Sequence, residues 1–360
     1  MYDLEEADLS IGSSQVVIRP NAHAGISEPG AEIARRRNLT GPPRRLKVPH
    51  RDLNRTRELV LVQYKTKGGI MISGTADAAI RSPLMKKHQG KVQLIFTSPP
   101  FPLNRKKKYG NLEGPEFRHW LAGLAPAFAR LLKPNGSIVI EMGNAWEPGR
   151  PVMSTLALKT LLDFLDSGDL FLCEQFVCYN KARLPTPAQW VNVDRIRVKD
   201  AFTHIWWMST TPRPKANNRK ILKAYSASME KLLSSKSYNP GRRPSEHHIG
   251  KTSFLTNNHG AIPSNVLSVT NTRSTDDYLE YCRAHNLPVH PARMPIEVPE
   301  FFINFLTEPR DLVLDPFAGS NTTGAAAERL RRRWVSIEPN DGYVEGSKGR
   351  FEAVQEPARN

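Results

Sequence analysis

The run Val92-Gln93-Leu94-Ile95-Phe96 stops at Thr97-Ser98-Pro99-Pro100-Phe101, and this junction constrains the fold more than any other stretch. An apolar run this short, ended by two prolines, reads as a buried strand feeding a rigid loop. Proline fixes its own φ, lacks an N–H and restricts the residue before it. Ser98 and Pro99 are therefore held extended, with carbonyls that no following helix consumes. The end of such a strand is where open α/β sheets place their chemistry. A plain turn is the competing reading, and the rest of the chain decides between the two.

The same alternation recurs along the chain. Leu59 to Val62 and Gly69 to Gly74 read as strands. Phe117 to Leu132 has helical apolar spacing, ended by Lys133-Pro134-Asn135-Gly136, where a helix stops. Ser137 to Met142 is a buried strand, Thr155 to Leu165 a helix, and Leu170 to Tyr179 and Phe202 to Met208 are strands. From Phe301 the logic resumes, with strand Asp311 to Asp315, helix Ala325 to Arg332 and strand Trp334 to Glu338. The expected class is α/β, a doubly wound, mainly parallel sheet with helices on both faces. Trp206 and Trp207 fall on opposite faces of a regular strand, and core is expected for one of them.

Two regions depart from the pattern. Residues 1–55 mix Gly, Pro and Ser with clustered arginines and read as a basic, largely irregular arm. Residues 211–251 carry ten Lys or Arg against two Glu, interleaved with Tyr225, Tyr238, Asn217, Asn218 and Asn239. Residues 212–288 therefore read as an insertion suited to nucleic-acid contact, with Arg213, Lys215, Arg219, Lys220, Arg242 and Arg243 as candidate contacts. The whole chain, at 51 Lys plus Arg against 35 Asp plus Glu, has a formal charge of +16, which calls for a polyanionic partner. Arg105, Lys106, Lys107 and Lys108, just after the Pro-Pro loop, are placed to meet phosphates.

A second constellation begins at Asp315. In Asp315-Pro316-Phe317-Ala318-Gly319-Ser320-Asn321-Thr322-Thr323-Gly324, Gly319 lets backbone approach a ligand. Ser320, Thr322 and Thr323 set hydroxyls and N–H groups at a helix N-terminus, where carboxylates bind well. Glu338 ends the next strand 19 residues after Gly319, in the position from which an acid holds ribose hydroxyls. Neither G-x-G-x-x-G nor the triphosphate loop is present, so a nucleoside with a carboxylate-bearing tail fits best.

With these residues the chain resembles the S-adenosylmethionine-dependent amino-methyltransferases of DNA. Ser98-Pro99-Pro100-Phe101 looks like their catalytic motif and Asp315 to Ser320 like their cofactor motif. His290-Pro291-Ala292-Arg293-Met294-Pro295 is similar to the segment that closes over the methionine end. The order of motifs is that of the class called beta. The resemblance implies a Rossmann-like methyltransferase domain with residues 56–211 as its catalytic part and 212–288 as an inserted target-recognition region. Residues 289–351 are then its cofactor part, and 352–360 a tail. It also implies S-adenosyl-L-methionine as cofactor, with Asp77, His290, Pro291, Asp315, Pro316, Phe317, Gly319, Ser320, Thr322, Thr323 and Glu338 around it. Serine at the head of the catalytic motif implies cytosine N4 as the target, in a restriction–modification setting. Adenine N6, or a non-catalytic nucleic-acid-binding protein on the same fold, is the alternative. Asn321 stands where glycine is frequent, and asparagine also tolerates left-handed backbone angles.

The mechanism so implied is direct transfer within a flipped-out base, with Ser98 and Pro99 accepting from the amino hydrogens and Phe101 stacking on the ring. Attack by a thiolate at cytosine C5 is disfavoured, since Cys173, Cys178 and Cys282 do not follow a strand in a Pro-Cys loop. The cysteines are also an odd number without metal spacing, and neither an apolar leader nor a run of ~20 apolar residues occurs. The expectation is a cytoplasmic protein with reduced thiols and no metal, monomer or homodimer, acting on double-stranded DNA. A cognate restriction endonuclease for the same site belongs to that setting. Glu141, at a strand end, is either a neighbour of the site or a surface charge, and His204 is more simply a packing residue.

Overall fold

The computed structural model describes residues 59–101, 114–269 and 276–352. The chain divides into residues 1–54 and 55–360. The expected arm, Arg105 to Lys108 and the tail from 353 lie outside the described residues.

In chain order the elements are β1 (Leu61–Lys65), β2 (Gly69–Ser73), α1 (Ala76–Arg81), α2 (Pro83–Lys86), β3 (Val92–Thr97), α3 (Gly114–Leu131) and β4 (Leu132–Met142). Then come α4 (Leu156–Gly168), β5 (Phe171–Tyr179), β6 (Phe202–Ser209), α5 (Ala227–Ser235), β7 (Gly241–Arg242), β8 (His248–Ile249) and β9 (Val266–Ser268). The last are α6 (Asp277–Ala284), α7 (Glu297–Leu306), β10 (Leu312–Asp315), α8 (Thr322–Arg329), β11 (Arg333–Glu338) and α9 (Asp341–Ser347).

Nine strands form one sheet in the order β1-β2-β11-β10-β3-β4-β6-β5-β9. From β2 to β4 every pairing is parallel, so β3, β10 and β11 end at one edge. The chain steps from β3 to β4 on one side and from β10 to β11 on the other, so the β10/β3 junction is a switch point that opens a crevice beyond their carboxyl ends. β6 runs antiparallel to both β4 and β5, bringing its first residues to the same edge as the end of β4.

Each strand is apolar on both faces because helices cover both. Ile95 and Ile138 pack with Phe117, Phe128 and Phe164 of α3 and α4 on one side. Leu94, Phe96 and Val139 pack with Phe302 and Ala326 of α7 and α8 on the other. Trp206 belongs to the first core and Trp207 to the second, so both tryptophans are core, one per face, where one was expected. Burying each indole removes a large apolar area from water, and Trp207 also donates Nε1–H to Ser137 Oγ at 2.9 Å.

Lys133 to Gly136 does not separate helix from strand as expected. β4 already begins at Leu132, and the four residues bulge out between the partners Leu132↔Val92 and Ser137↔Leu94. Within the expected insertion, β9 joins the sheet beside β5, and α6 packs on α9.

Candidate active site

The crevice is a cleft of about 490 Å³. Ser98, Pro99, Pro100 and Phe101 line one side of it. His290, Pro291, Asp315, Phe317, Gly319, Ser320, Thr322, Thr323 and Glu338 line the other. Two loops more than 200 residues apart therefore share one cavity.

A hydrogen bond between adjacent strands joins them. Thr97 Oγ1, at the end of β3, donates to Asp315 Oδ1 at the end of β10, at 2.6 Å. Thr323 Oγ1 donates to Oδ2 at 2.6 Å and the Phe317 N–H to Oδ1 at 3.1 Å. Burial raises the Asp315 pKa, and these three donors pull it back down. Asp315 is thus the internal brace of the loop that follows β10, and Pro316, buried beside it, does not line the cleft.

Gly319 has φ +51°, and a Cβ there would meet His290 Nε2 at 2.9 Å, so both conformation and space demand glycine. Next to it Asn321, at φ +56°, caps α8 by accepting from the Gly324 N–H at 3.1 Å, and Ser336 Oγ donates to the same oxygen at 2.7 Å. The left-handed geometry expected of Asn321 is present. Ser320 is gripped from the C-terminal end of the domain, where Arg350 donates to its carbonyl at 2.6 Å and to its Oγ at 3.0 Å. Arg350 in turn lies 4.8 Å from the ring centroid of Tyr278, whose hydroxyl accepts from the His290 N–H at 2.8 Å. Sequence spacing gave no signal for Arg350 or Tyr278.

Glu338 Oε2 accepts from the Gly319 N–H and Oε1 from the Asn340 N–H, each at 2.9 Å. Burial pushes its pKa up to about 7 against the pull of those two donors. Each carboxylate oxygen has two lone pairs and gives one to backbone, so acceptor capacity remains for a pair of hydroxyls.

On the catalytic side Ser98 is exposed to the cleft while Thr97 and Pro99 on either side of it are buried. Phe101 lines the cleft and packs edge-on to Phe117, with centroids 6.1 Å apart. Glu141, left open between two readings, lines the cleft as well. Thr203 Oγ1, from the start of β6, donates to its Oε1 at 2.9 Å. Burial raises the Glu141 pKa, and the hydroxyls of Thr203 and Ser98, with the more distant Arg183, lower it. The antiparallel return of β6 is what delivers Thr203, and nothing in the sequence signalled it.

Three groups of expected residues are placed elsewhere. Asp77 does not line the cleft: its carboxylate accepts from Trp120 Nε1 at 2.8 Å and lies 3.4 Å from Arg81, within a separate cavity against α3. Lys215 pairs with Asp311 at 2.9 Å, as does Lys133 at 2.6 Å, and Lys220 pairs with Glu308. Asp311 precedes β10, at the sheet edge opposite the cleft. Arg242 pairs with Glu246 in the β7–β8 hairpin, whereas Arg213 and Arg219 are exposed. His204 stacks on Trp206 at 5.7 Å and lies outside the cleft.

Among the described residues no group of three or more His, Cys, Asp or Glu is arranged to hold a metal ion. No described helix is long and apolar enough to cross a membrane. Cys173, Cys178 and Cys282 are free thiols.

A family model described as DNA methylase matches residues 92–349. The chain is 44% identical over 290 residues to the Type II methyltransferase M.PvuII of Proteus hauseri, covering 80% of this chain and 85% of that one. It is 25% identical over 281 residues to the Type II methyltransferase M.HindIII of Haemophilus influenzae, covering 75% and 77%. Among solved structures, PvuII DNA methyltransferase (cytosine-N4-specific) matches with a TM-score of 0.65 at 37% identity, over 82% of this chain and 90% of that one.

Proposed function

The chain belongs to the DNA methylase family, and from that premise we propose a site-specific DNA methyltransferase that uses S-adenosyl-L-methionine to methylate the exocyclic N4 amino group of cytosine. The observation that carries this reading is the Thr97–Asp315 hydrogen bond, which sets the Ser-Pro-Pro-Phe loop and the cofactor loop on one cleft. M.PvuII, similar over most of both chains, is a Type II methyltransferase, and the solved PvuII enzyme is cytosine-N4-specific.

The residues present suit the cofactor. Glu338 would take the ribose hydroxyls, the backbone around Gly319 would admit close approach, and the N–H groups opening α8 would meet the methionine carboxylate. When bound, S-adenosylmethionine supplies a methyl group on a positively charged sulfur.

The protein's task is to prepare the amino nitrogen, whose lone pair is delocalised into the cytosine ring. Ser98 donates its hydroxyl proton towards Glu141, which leaves its oxygen lone pairs free to accept an N4 hydrogen. The Pro99 carbonyl accepts the other hydrogen. Two acceptors held in this way draw the nitrogen towards tetrahedral geometry. Such positioning and fixed dipoles supply up to ~7 to 11 kcal/mol in well-aligned cases. The proton lost from N4 passes to Ser98 Oγ as the hydroxyl proton of Ser98 passes to Glu141, a carboxylate whose raised pKa makes it the better acceptor. A base stacked in duplex DNA cannot reach this cleft, so the target nucleotide is turned out of the helix.

The test is to incubate the protein with S-adenosylmethionine labelled in the methyl group and unmethylated mixed-sequence DNA, then digest to nucleosides. Label in N4-methyldeoxycytidine is expected. Label in N6-methyldeoxyadenosine, or no transfer, overturns the assignment.

A further inference from the structure

Residues 180–201, which join β5 to β6, fall outside the segment that composition marks for DNA contact. Yet Asn180, Arg183 and Ala201 form part of the cleft wall. The neck of this loop is tied across itself. The Asn180 N–H donates to the Ala201 carbonyl at 2.8 Å and the Asp200 N–H to the Thr186 carbonyl at 2.9 Å. Lys199 Nζ reaches the carbonyls of Lys181 and Arg183 at 2.7 and 3.4 Å. Farther out Trp190 packs on Trp146 at 5.5 Å, and Arg197 donates twice to the Pro151 carbonyl, at 3.1 and 2.8 Å.

A loop pinned at so many points presents a fixed surface, and here that surface is apolar where solvent would favour polar groups. Val198 is 85% exposed and Leu184 76%, with Val193 and Ile196 exposed as well. Single exposed apolar side chains are ordinary, but several on one braced loop beside a cleft mark an interaction surface. Leu184 directly follows Arg183 of the cleft wall. Val198 directly precedes Lys199, whose ammonium spans to the Arg183 carbonyl, so both apolar tips sit at the neck.

We infer that this loop is the wedge of the reaction: Leu184 and Val198 enter the gap in the base stack from which the target cytosine has turned, and the cations around them hold the flanking phosphates. This rests on the reading of the cleft as a DNA amino-methyltransferase site. Turning a base out costs its stacking and pairing, and an apolar side chain that fills the vacated space offsets part of that cost and blocks the return. Charge favours this partner over a second copy of the chain. The loop carries Lys181, Arg183, Arg195, Arg197 and Lys199 against Asp194 and Asp200, which attracts phosphate and repels a like-charged copy of itself.

The experiment compares the full-length protein with L184A/V198A and with the bulk-preserving L184M/V198I, on unmethylated mixed-sequence duplex DNA. Four quantities are read: methyl transfer, S-adenosylmethionine affinity, duplex affinity at fixed salt and the sedimentation coefficient. L184A/V198A is expected to lose at least tenfold in methyl transfer, with cofactor affinity within twofold and duplex affinity within about threefold of wild type. L184M/V198I is expected to keep at least half of the wild-type rate. An L184A/V198A protein that methylates as fast as wild type overturns the wedge while leaving the enzymatic reading intact. A change only in sedimentation, with transfer unaltered, overturns it in favour of a surface between copies. A wild-type protein that transfers no methyl group to DNA overturns the reading beneath it as well.

Discussion

Glu141 and Glu338 are carboxylates at strand ends on one sheet edge, and their surroundings assign them different tasks. Glu141 faces the hydroxyls of Ser98 and Thr203, and in the proposed mechanism it takes a proton, for which it must be ionised. Its raised pKa therefore makes the rate of transfer climb with pH through that value and level off above it. Glu141→Gln should lower kcat by about 10²- to 10⁴-fold, the usual worth of a general base, and flatten the profile, with cofactor affinity unchanged. An unaltered pH profile in the variant would remove Glu141 from the proton path. Glu338, in the proposed reading, accepts from the ribose hydroxyls and must also be ionised to do so, but its effect is on binding. Its folded pKa of about 7 lies above the ordinary carboxylate range. In the cofactor-free protein its contribution to stability is therefore lost as pH rises towards and through 7. Ribose hydroxyls donating to the carboxylate reverse that preference, so cofactor affinity should increase as pH rises to about 7 and then plateau. Calorimetric titration across pH 5.5 to 8.5 checks this, and Glu338→Gln should abolish the slope. Glu338 was legible in the sequence because a strand end at fixed distance from a glycine loop is a local pattern. The placing of Glu141 in the cleft was not, since its partners Ser98 and Thr203 are 43 and 62 residues away and arrive from two other strands.

At the scale of elements, parallel neighbours that end together do most of the work of site construction. β3 and β10 were both readable as short apolar runs, and their loops carry the motifs, so the bipartite site was readable as well. The antiparallel direction of β6 was not readable, because β6 is as apolar as its parallel neighbours and direction leaves no mark on such a strand. The same limit explains Asp77, which stands close in sequence to the end of β2 but turns with α1 towards Trp120. The stitch between β3 and β10 is open to test. Thr97→Val keeps shape but leaves Asp315 Oδ1 without its buried hydroxyl donor. The expected cost is about 1 to 3 kcal/mol, read as a lower urea midpoint. Cofactor affinity should fall with it, because Asp315 braces the loop that holds Gly319, whereas Thr97→Ser should restore both. A Thr97→Val protein as stable as wild type would show that the strand ends are held by the sheet alone.

Among the described residues, cations stand at both ends of the sheet, and they are partnered differently. At the edge opposite the cleft, Lys133 and Lys215 converge on Asp311, and Lys220 pairs with Glu308. These cations neutralise carboxylates; Lys215 and Lys220 fasten the segment after β6 to the start of β10, and Lys133 fastens the bulge of β4 to it. Asp311 is held below the usual carboxylate range by the two lysines despite its burial. Composition could not separate them from free cations, since a lysine in an ion pair and a lysine awaiting phosphate look the same in a sequence. At the cleft edge, Lys181 and Arg195 project from the loop between β5 and β6 as exposed side chains. Duplex binding releases about one counterion for each phosphate neutralised, so the slope of log affinity against log salt counts the cations engaged. Lys181→Met and Arg195→Met should each make that slope less steep by about 1 while leaving thermal stability within experimental error. Lys215→Met should do the reverse: it leaves the salt slope unchanged and lowers stability, most at pH values where Asp311 is ionised, because a buried carboxylate has lost one of its two lysine partners. If Lys215→Met also flattens the salt slope, the DNA path extends around to the far edge of the sheet and the division of labour between the two ends fails.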